Sequence, residues 1–408
     1  MSQADADRLV ALLAVRDVHP ASVDAGLHGE DPGKEPSVGM EPRGFSPGDW
    51  DAVIALAARH NLAPWLGARL KSLGITPPGA VAEQLDDLRL ASAAQNMRLF
   101  ERLGAILRAF EAAGIPVVPL KGAWLAKAVY RDAALRPMGD VDLWVPRPLI
   151  DAARLETERL GYAARARAAR PQALQDALTG ETQMWKAESP VVELHWNIFP
   201  GEWIRHSARI DEQAVWDRTV PAHEGVAPAG GGGVRHLAPE DAVIHLCVHL
   251  AVNHQMSLMG LRTLVDLDCA RRRWTVDWGL VARRARAWRV AGAVWIVLHA
   301  LAELLGDPAG ELPLAELGPP RWRQRLLMRV VPPRSLAEGL ELRTGRARFL
   351  LLLALVDRPT DVIRLAWRTV FPDRVWLTLR YGAPGASAWL VARLRLRHVV
   401  GLATRGEV

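Results

Sequence analysis

The sequence predicts an α+β protein, with a small mixed β-sheet flanked by helices and joined to helical N-terminal and C-terminal regions. Three observations carry this. Over residues 82–113 apolar side chains recur at intervals of three and four; two short segments, 141–145 and 191–196, alternate with period two; and beyond Leu237 the pattern is helical almost to the end. The chain divides accordingly into a short helix and flexible linker (1–45), an N-terminal helical region (46–114), a sheet-bearing core (115–235) and a C-terminal helical domain (236–408).

Each element has its own signal. Residues 18–45 mix Pro, Gly and charge with almost no apolar periodicity, which predicts a flexible link. Order resumes at Ser46-Pro47-Gly48-Asp49, an N-cap followed by proline at the first helical position and an acid three residues after the cap. The apolar series Trp50, Val53, Ile54, Ala57 continues it. The long helix over 82–113 has Gly114 in the position that terminates helices. From Ile115 the texture changes to a short apolar run, a helix over 122–130 and the alternating run 141–145, which is a strand–helix–strand unit. A helix over 148–160 leads through Gly161 and Tyr162 into sequence that reads as irregular until the alternating run 191–196. Gly230 to Gly233 make a loop or boundary, and the C-terminal helices break near 306–320, Pro332-Pro333, Pro359, Pro372 and 382–385.

Composition narrows the class. At 408 residues and 50% hydrophobic, the chain can bury a large core without disulfides. Its two cysteines, Cys247 and Cys269, form no CxxC pair, and the acidic N-terminus lacks the basic and apolar regions of a signal peptide, so a reducing, cytoplasmic setting is expected. The longest apolar runs, 290–298 and 349–356, fall far short of the roughly 20 residues of a membrane-spanning helix. The net charge of +6 is uneven: residues 321–408 hold 17 Arg and 6 acids, whereas residues 1–320 hold 34 basic and 39 acidic residues. Such a bias attracts phosphate, nucleic acid or acidic membrane. Yet 46 Arg against five Lys also fits a general arginine preference and a solvated face.

The chemistry concentrates at Asp140-Val-Asp142. Residues i and i+2 of a strand share a face about 6.6 Å apart, so these carboxylates stand side by side in an apolar strand and repel one another. They need a neutralising partner, and Mg²⁺ (or Mn²⁺), bound by one or two carboxylates plus substrate phosphates, answers that need. Upstream, Gly122 follows an apolar strand and opens a helix, where free backbone N–H groups and the helix dipole hold phosphate. A third acid, Glu193, lies in the second alternating segment with His195 on the same face. Three acids on neighbouring strands suit a two-metal arrangement, with ions roughly 3.5–4 Å apart.

The run LKGAWLAKAVYRDAALRPMGDVDLWV, followed by VVELHW, resembles the uncharacterised nucleotidyltransferase family of the polymerase-β superfamily. Asp49-Trp50 through His60, Gln95-Asn96, Leu237 to Asp241, Leu261 to Asp266 and Phe371-Pro372 share that family's texture. The resemblance implies NTP and Mg²⁺ as cosubstrate and cofactor, and transfer of a nucleoside monophosphate with release of pyrophosphate. It makes Gly122 the glycine of the phosphate-binding turn, Asp140 and Asp142 the metal-binding pair, and Glu193 the third acid, serving as metal ligand or as base. The chain departs from the superfamily in having Gly122-Ala123 where a Gly-Ser or Gly-Gly pair is usual, so Lys121 and Arg136 are the candidates to supply phosphate contacts.

Weaker signals have ordinary readings. His245 and His249, four apart, and His254 suit helix packing or a cleft lining better than a zinc site, because no acid completes the set. Arg262 and Asp266 read as an intrahelical ion pair. Most of the sixteen Trp, such as Trp274, Trp278 and Trp288, sit at core spacing, which sets nucleic-acid binding aside. The segment 389–400 is either a packed helix with Arg outward or a peripheral membrane contact. The acceptor, whether small molecule, peptide or protein, leaves no mark. A nucleotide-binding regulatory or accessory protein without turnover is the alternative to an enzyme.

Overall fold

The computed structural model describes residues 3–14, 45–130, 132–165, 171–222, 233–257, 259–307, 309–339 and 345–405. The expected linker, apart from Phe45, and the glycine run, apart from Gly233, lie outside the described residues. Among those described, helices of eight or more residues are numbered here in chain order. Helices α1 (Gln3–Ala14), α2 (Pro47–Arg59), α3 (Ala63–Ser72) and α4 (Gly79–Ala112) precede the sheet, and α5 (Lys121–Ala128) and α6 (Ile150–Arg159) connect its strands. After it come α7 (Pro239–Val248), α8 (Gly260–Arg273), α9 (Trp278–Ala287), α10 (Ala291–Leu304), α11 (Arg321–Val330), α12 (Gly345–Leu355), α13 (Pro359–Val370) and α14 (Ala388–Arg405).

The cap that begins α2 forms as expected: the Ser46 Oγ accepts the Asp49 N–H at 3.3 Å and the Asp49 carboxylate accepts the Ser46 N–H at 2.8 Å, an arrangement worth about 1 kcal/mol. Helix α4 starts at Gly79, behind Pro78 and three residues before the periodicity does, and Gly114 takes a φ of +68° after its end.

The sheet has five strands, β1 (Val118–Leu120), β2 (Asp140–Trp144), β3 (Ala163–Ala164), β4 (Glu181–Trp185) and β5 (Val191–His195), in the order β1-β2-β5-β4-β3. Strands β2 and β5 are parallel and every other pair is antiparallel, so the sheet is mixed. The reading of 161–190 as irregular is corrected here: it contains β3 and β4. The reason is physical. Strand β4 lies inside the sheet with Glu181 and Thr182 buried, so its polar residues mask the alternation of apolar and polar faces.

Period two sorts the two central strands. Val141, Leu143, Val192 and Leu194 point to one face, where α4 supplies Leu99, Leu103, Ile106, Leu107 and Phe110. Phe110 is fully buried, a kind of position where truncation costs about 3–5 kcal/mol. Asp142, Glu193 and His195 are left on the opposite face. That side is capped by a second core, to which α1 to α3 and α7 to α10 both contribute, so N-terminal and C-terminal helices pack together.

The C-terminal layer is fastened to the rest by polar ties. Asp357 accepts the N–H groups of Ala291 and Gly292 at 2.8 Å each, capping α10. Asp361 is buried and pairs with Arg289 at 2.9 Å. The Trp203 indole donates to the Leu352 carbonyl at 2.7 Å. Among the described residues no helix is long and apolar enough to cross a membrane.

Candidate active site

The polar face of the sheet and the helices α7 and α8 enclose a cavity of about 450 Å³, lined by Lys121, Gly122, Arg136, Asp140, Asp142, Gln183, Glu193, His249, His254 and Arg262 among others. That volume lies within the usual range for small-ligand clefts. Its floor follows from register. Asp142 stands opposite Glu193 across the parallel β2–β5 pair, and Asp140 opens onto solvent at the start of β2. Ligand atoms of Asp142, Glu193 and His195 all lie within 4.8 Å of one another.

The Asp142 carboxylate is held by two partners on one oxygen. Its Oδ1 lies 2.9 Å from the Lys121 Nζ and 3.1 Å from the His195 Nε2. Burial opposes its charge, but Lys121 and His195 together hold it well below the usual carboxylate range. Lys121 answers in kind: burial works against its charge, and Asp142, Glu193 and Asp140 outweigh that and keep it protonated. It adopts a φ of +45°, a left-handed conformation unusual for a non-glycine residue, and its Nζ donates to the His249 Nε2 at 2.8 Å. His195 is buried as well, and Asp142 and Glu181 raise it against the effect of burial.

Asp140 and Glu193 behave differently. Desolvation and then the nearby Asp142 push both carboxyls above their ordinary range. Both are therefore short of positive charge, which a divalent cation would supply. Three carboxylates and open space for phosphate and water suit Mg²⁺ or Mn²⁺. Glu193 is steadied by the Gln183 amide of β4, which donates to it at 2.5 Å.

The opposite wall is built from irregular helix. After α7 the chain makes a π-helical turn over His249–Asn253, and Gln255, Met256 and Met259 take left-handed conformations before α8 begins. Such turns cluster at functional sites. They place His249 and His254 on the cleft, while His245 lies behind them against Phe199. Burial and then Lys121 depress all three histidines, His245 to about 3 and His254 to about 4, so they face the cleft region uncharged.

A family model described as an uncharacterised nucleotidyltransferase matches residues 46–306, well over half of the chain. The chain belongs to that nucleotidyltransferase family. No curated protein matches it. Among solved structures, that of the antibiotic-resistance factor ANT(2'')-Ia aligns with 50% of this chain and 91% of its own at 15% identity and a TM-score of 0.29. At that score the likeness adds nothing to the assignment, which rests on the family match.

Within this nucleotidyltransferase, the residues singled out in the sequence meet at one cleft, but two pairings differ from expectation. Asp266 does not pair with Arg262. It receives Arg136 through both Nε and Nη2 at 2.8 Å and the Tyr130 hydroxyl at 2.5 Å, all buried. Spacing along α8 pointed to Arg262, whereas the tertiary partner comes from the segment before β2. Arg136, expected to contact phosphate, is thus largely committed: burial disfavours its charge, and Asp266 more than compensates. Only its Nη1 reaches towards Gly122, where an added Cβ would stand 2.8 Å from it. Gly122 is glycine because Arg136 crosses it closely.

Arg262, read from the sequence only as an ion-pair partner, lines the cleft. Its Nη1 donates to the Pro137 carbonyl at 3.2 Å, and its Nε is buried without a partner. Burial and the neighbouring Arg136 depress its affinity for its own proton, as expected for a cation short of anions. Gln183 was missed with its strand. No spacing rule would have found either, because both depend on which elements face each other across the cleft.

Proposed function

We propose that this cleft binds an NTP with Mg²⁺ and transfers its nucleoside monophosphate to an acceptor hydroxyl or phosphate, releasing pyrophosphate. The observation that supports it best is the in-register pair Asp142 and Glu193, with Asp140 beside them, on the floor of a cleft in a chain of this family. Asp140, Asp142 and Glu193 would hold the cation, which supplies charge neutralisation between carboxylates and triphosphate.

The protein's own groups have distinct tasks. The N–H groups that open α5 at Gly122, and the cations Lys121 and Arg262, bind the triphosphate and orient its α-phosphorus. The acceptor oxygen forms a bond to that phosphorus while the bond to the bridging oxygen breaks, and pyrophosphate departs. Where Glu193 is not taken up by the cation, its carboxylate takes the proton from an acceptor hydroxyl. Arg136 acts by fixing Gly122 and α8 in place.

The contact of Lys121 with Asp142 favours a second reading, nucleotide binding without turnover, in which the lysine stays on the carboxylate. Calorimetry with ATP, CTP, GTP and UTP, with Mg²⁺ or with EDTA, together with a pyrophosphate-release assay, separates the two. Metal-dependent binding with pyrophosphate release supports transfer. Binding without release supports the second reading, and equal affinity in EDTA overturns the metal-dependent one.

A further inference from the structure

We propose that the C-terminal layer formed by α11 to α14 docks this protein on an anionic lipid surface. The layer lies beyond residue 306, where the family match ends. Ordinary surface helices carry one apolar stripe, turned to the core. Here two helices carry a second. On α13 the side chains of Asp361 and Leu365 are buried, yet Ile363 and Trp367 are 70% and 61% exposed and Phe371 continues the stripe at the same spacing. On α14 Val391 and Leu394 are buried, while Trp389 and Leu396 are 67% and 66% exposed and Val400 continues their line. Ile363, Trp367, Trp389 and Leu396 thus stand largely in solvent.

Charge names the occupant. Exposed Arg368, Arg393, Arg395 and Arg397 stand beside the stripes, and between Asp373 and Glu407 the sequence has six Arg and no acid. Arg393 lies over the Trp389 ring at 4.7 Å, an arrangement suited to the boundary between headgroup and acyl chain. A second copy of this face would meet like charge. Single-stranded nucleic acid would use the aromatic rings but not the aliphatic Ile363, Leu396 and Val400. An anionic bilayer uses all three components: Arg for the phosphates, Trp for the interface and aliphatic chains for the acyl region.

The test is co-sedimentation of the full chain with vesicles of phosphatidylglycerol and, separately, of phosphatidylcholine. Binding to the anionic vesicles, weakened by salt and absent with phosphatidylcholine, is expected. Trp367→Ser with Trp389→Ser should lower the partition coefficient about tenfold or more, and Arg393→Gln with Arg395→Gln about 30-fold. Circular dichroism checks that both variants stay folded, and pyrophosphate release in solution should not change. Equal sedimentation with both lipids, or with the Trp double variant, overturns the proposal. So does a dimer in light scattering that the Trp substitutions convert to monomer, or retention on single-stranded RNA without vesicle binding.

Discussion

The two walls of the cleft are built on different principles. The sheet wall takes its carboxylates from strands whose period of two fixes which side chains point inward, and the parallel β2–β5 register puts Asp142 opposite Glu193. The helical wall takes its groups from a π-helical turn and from three left-handed residues between α7 and α8, and it presents uncharged histidines and one poorly partnered guanidinium. The sheet wall sets three carboxylates against Lys121, and the helical wall adds the Arg262 guanidinium. The difference teaches that one cleft can join a regular acidic floor to an irregular helical wall, with Lys121 bonded to Asp142 on the first and His249 on the second.

The largest expected effect lies on the floor. Asp140→Asn and Asp142→Asn should each lower kcat by about 10³-fold, the scale of losing one preorganised charge at the reacting phosphate. They should differ in stability, which sharpens the comparison. Asp140→Asn removes a carboxyl already raised by its neighbour and should leave the melting temperature unchanged or higher. Asp142→Asn leaves the buried Lys121 and His195 without their shared partner and should lower it. Equal melting temperatures for the two would break the assignment of Asp142 as the counter-charge of Lys121.

The two arginines beside α8, Arg136 from the segment before β2 and Arg262 from α8 itself, should separate. Arg136→Met breaks a buried bidentate pair and should destabilise the fold by about 3–5 kcal/mol. Arg262→Met should leave the fold intact and raise the KM for NTP about 10- to 100-fold, the loss of a charge-assisted hydrogen bond. Thermal melts and steady-state kinetics on both variants decide it, and an Arg262→Met enzyme with unchanged KM removes Arg262 from nucleotide binding. Glu193→Gln should lower kcat about 10²-fold while NTP affinity survives. Unchanged turnover there would remove Glu193 from the mechanism.

The smallest effect concerns pH, behind the sheet wall. Glu212 receives the Ile198 N–H at 3.0 Å, but burial, aided by Asp211, pushes its carboxyl up to about 7 from an ordinary 4.5. A raised acid takes up protons on folding, so its cost is absent below about pH 4.5, grows between there and pH 7, and is complete above. Glu212→Gln should therefore raise the melting temperature at pH 8 and leave it unchanged at pH 4. A shift of equal size at both would refute the titration.

Legibility followed the same division. Alternation identifies β2 and β5, and capping identifies α2, because those signals are local. The cleft acids are legible for the same reason: side-chain direction in a strand follows from position alone. Strand β4 is not, since burial on the sheet's interior removes its apolar-polar contrast. Nor is the choice of Arg136 over Arg262 as the partner of Asp266, because a helix offers the i+4 neighbour to any reader of the sequence while the winning contact spans 130 residues. The exposed stripe on α13 hides similarly, since periodicity cannot say which of two apolar faces meets the core, whereas 389–400 in α14 already offered a membrane contact as one of two readings.

The cap that Asp357 places on α10 limits where this gene can be divided. A protein ending near residue 320 would keep every matched residue yet lose the acceptor for two α10 amides, for the Trp203 indole and for Arg289. Unmet groups of this kind cost about 1–3 kcal/mol each, and together they rival the whole stability of an ordinary domain. Recombination that swaps the tail is therefore penalised unless the incoming segment brings its own equivalents of Asp357 and Asp361, and the two parts are expected to be inherited as one.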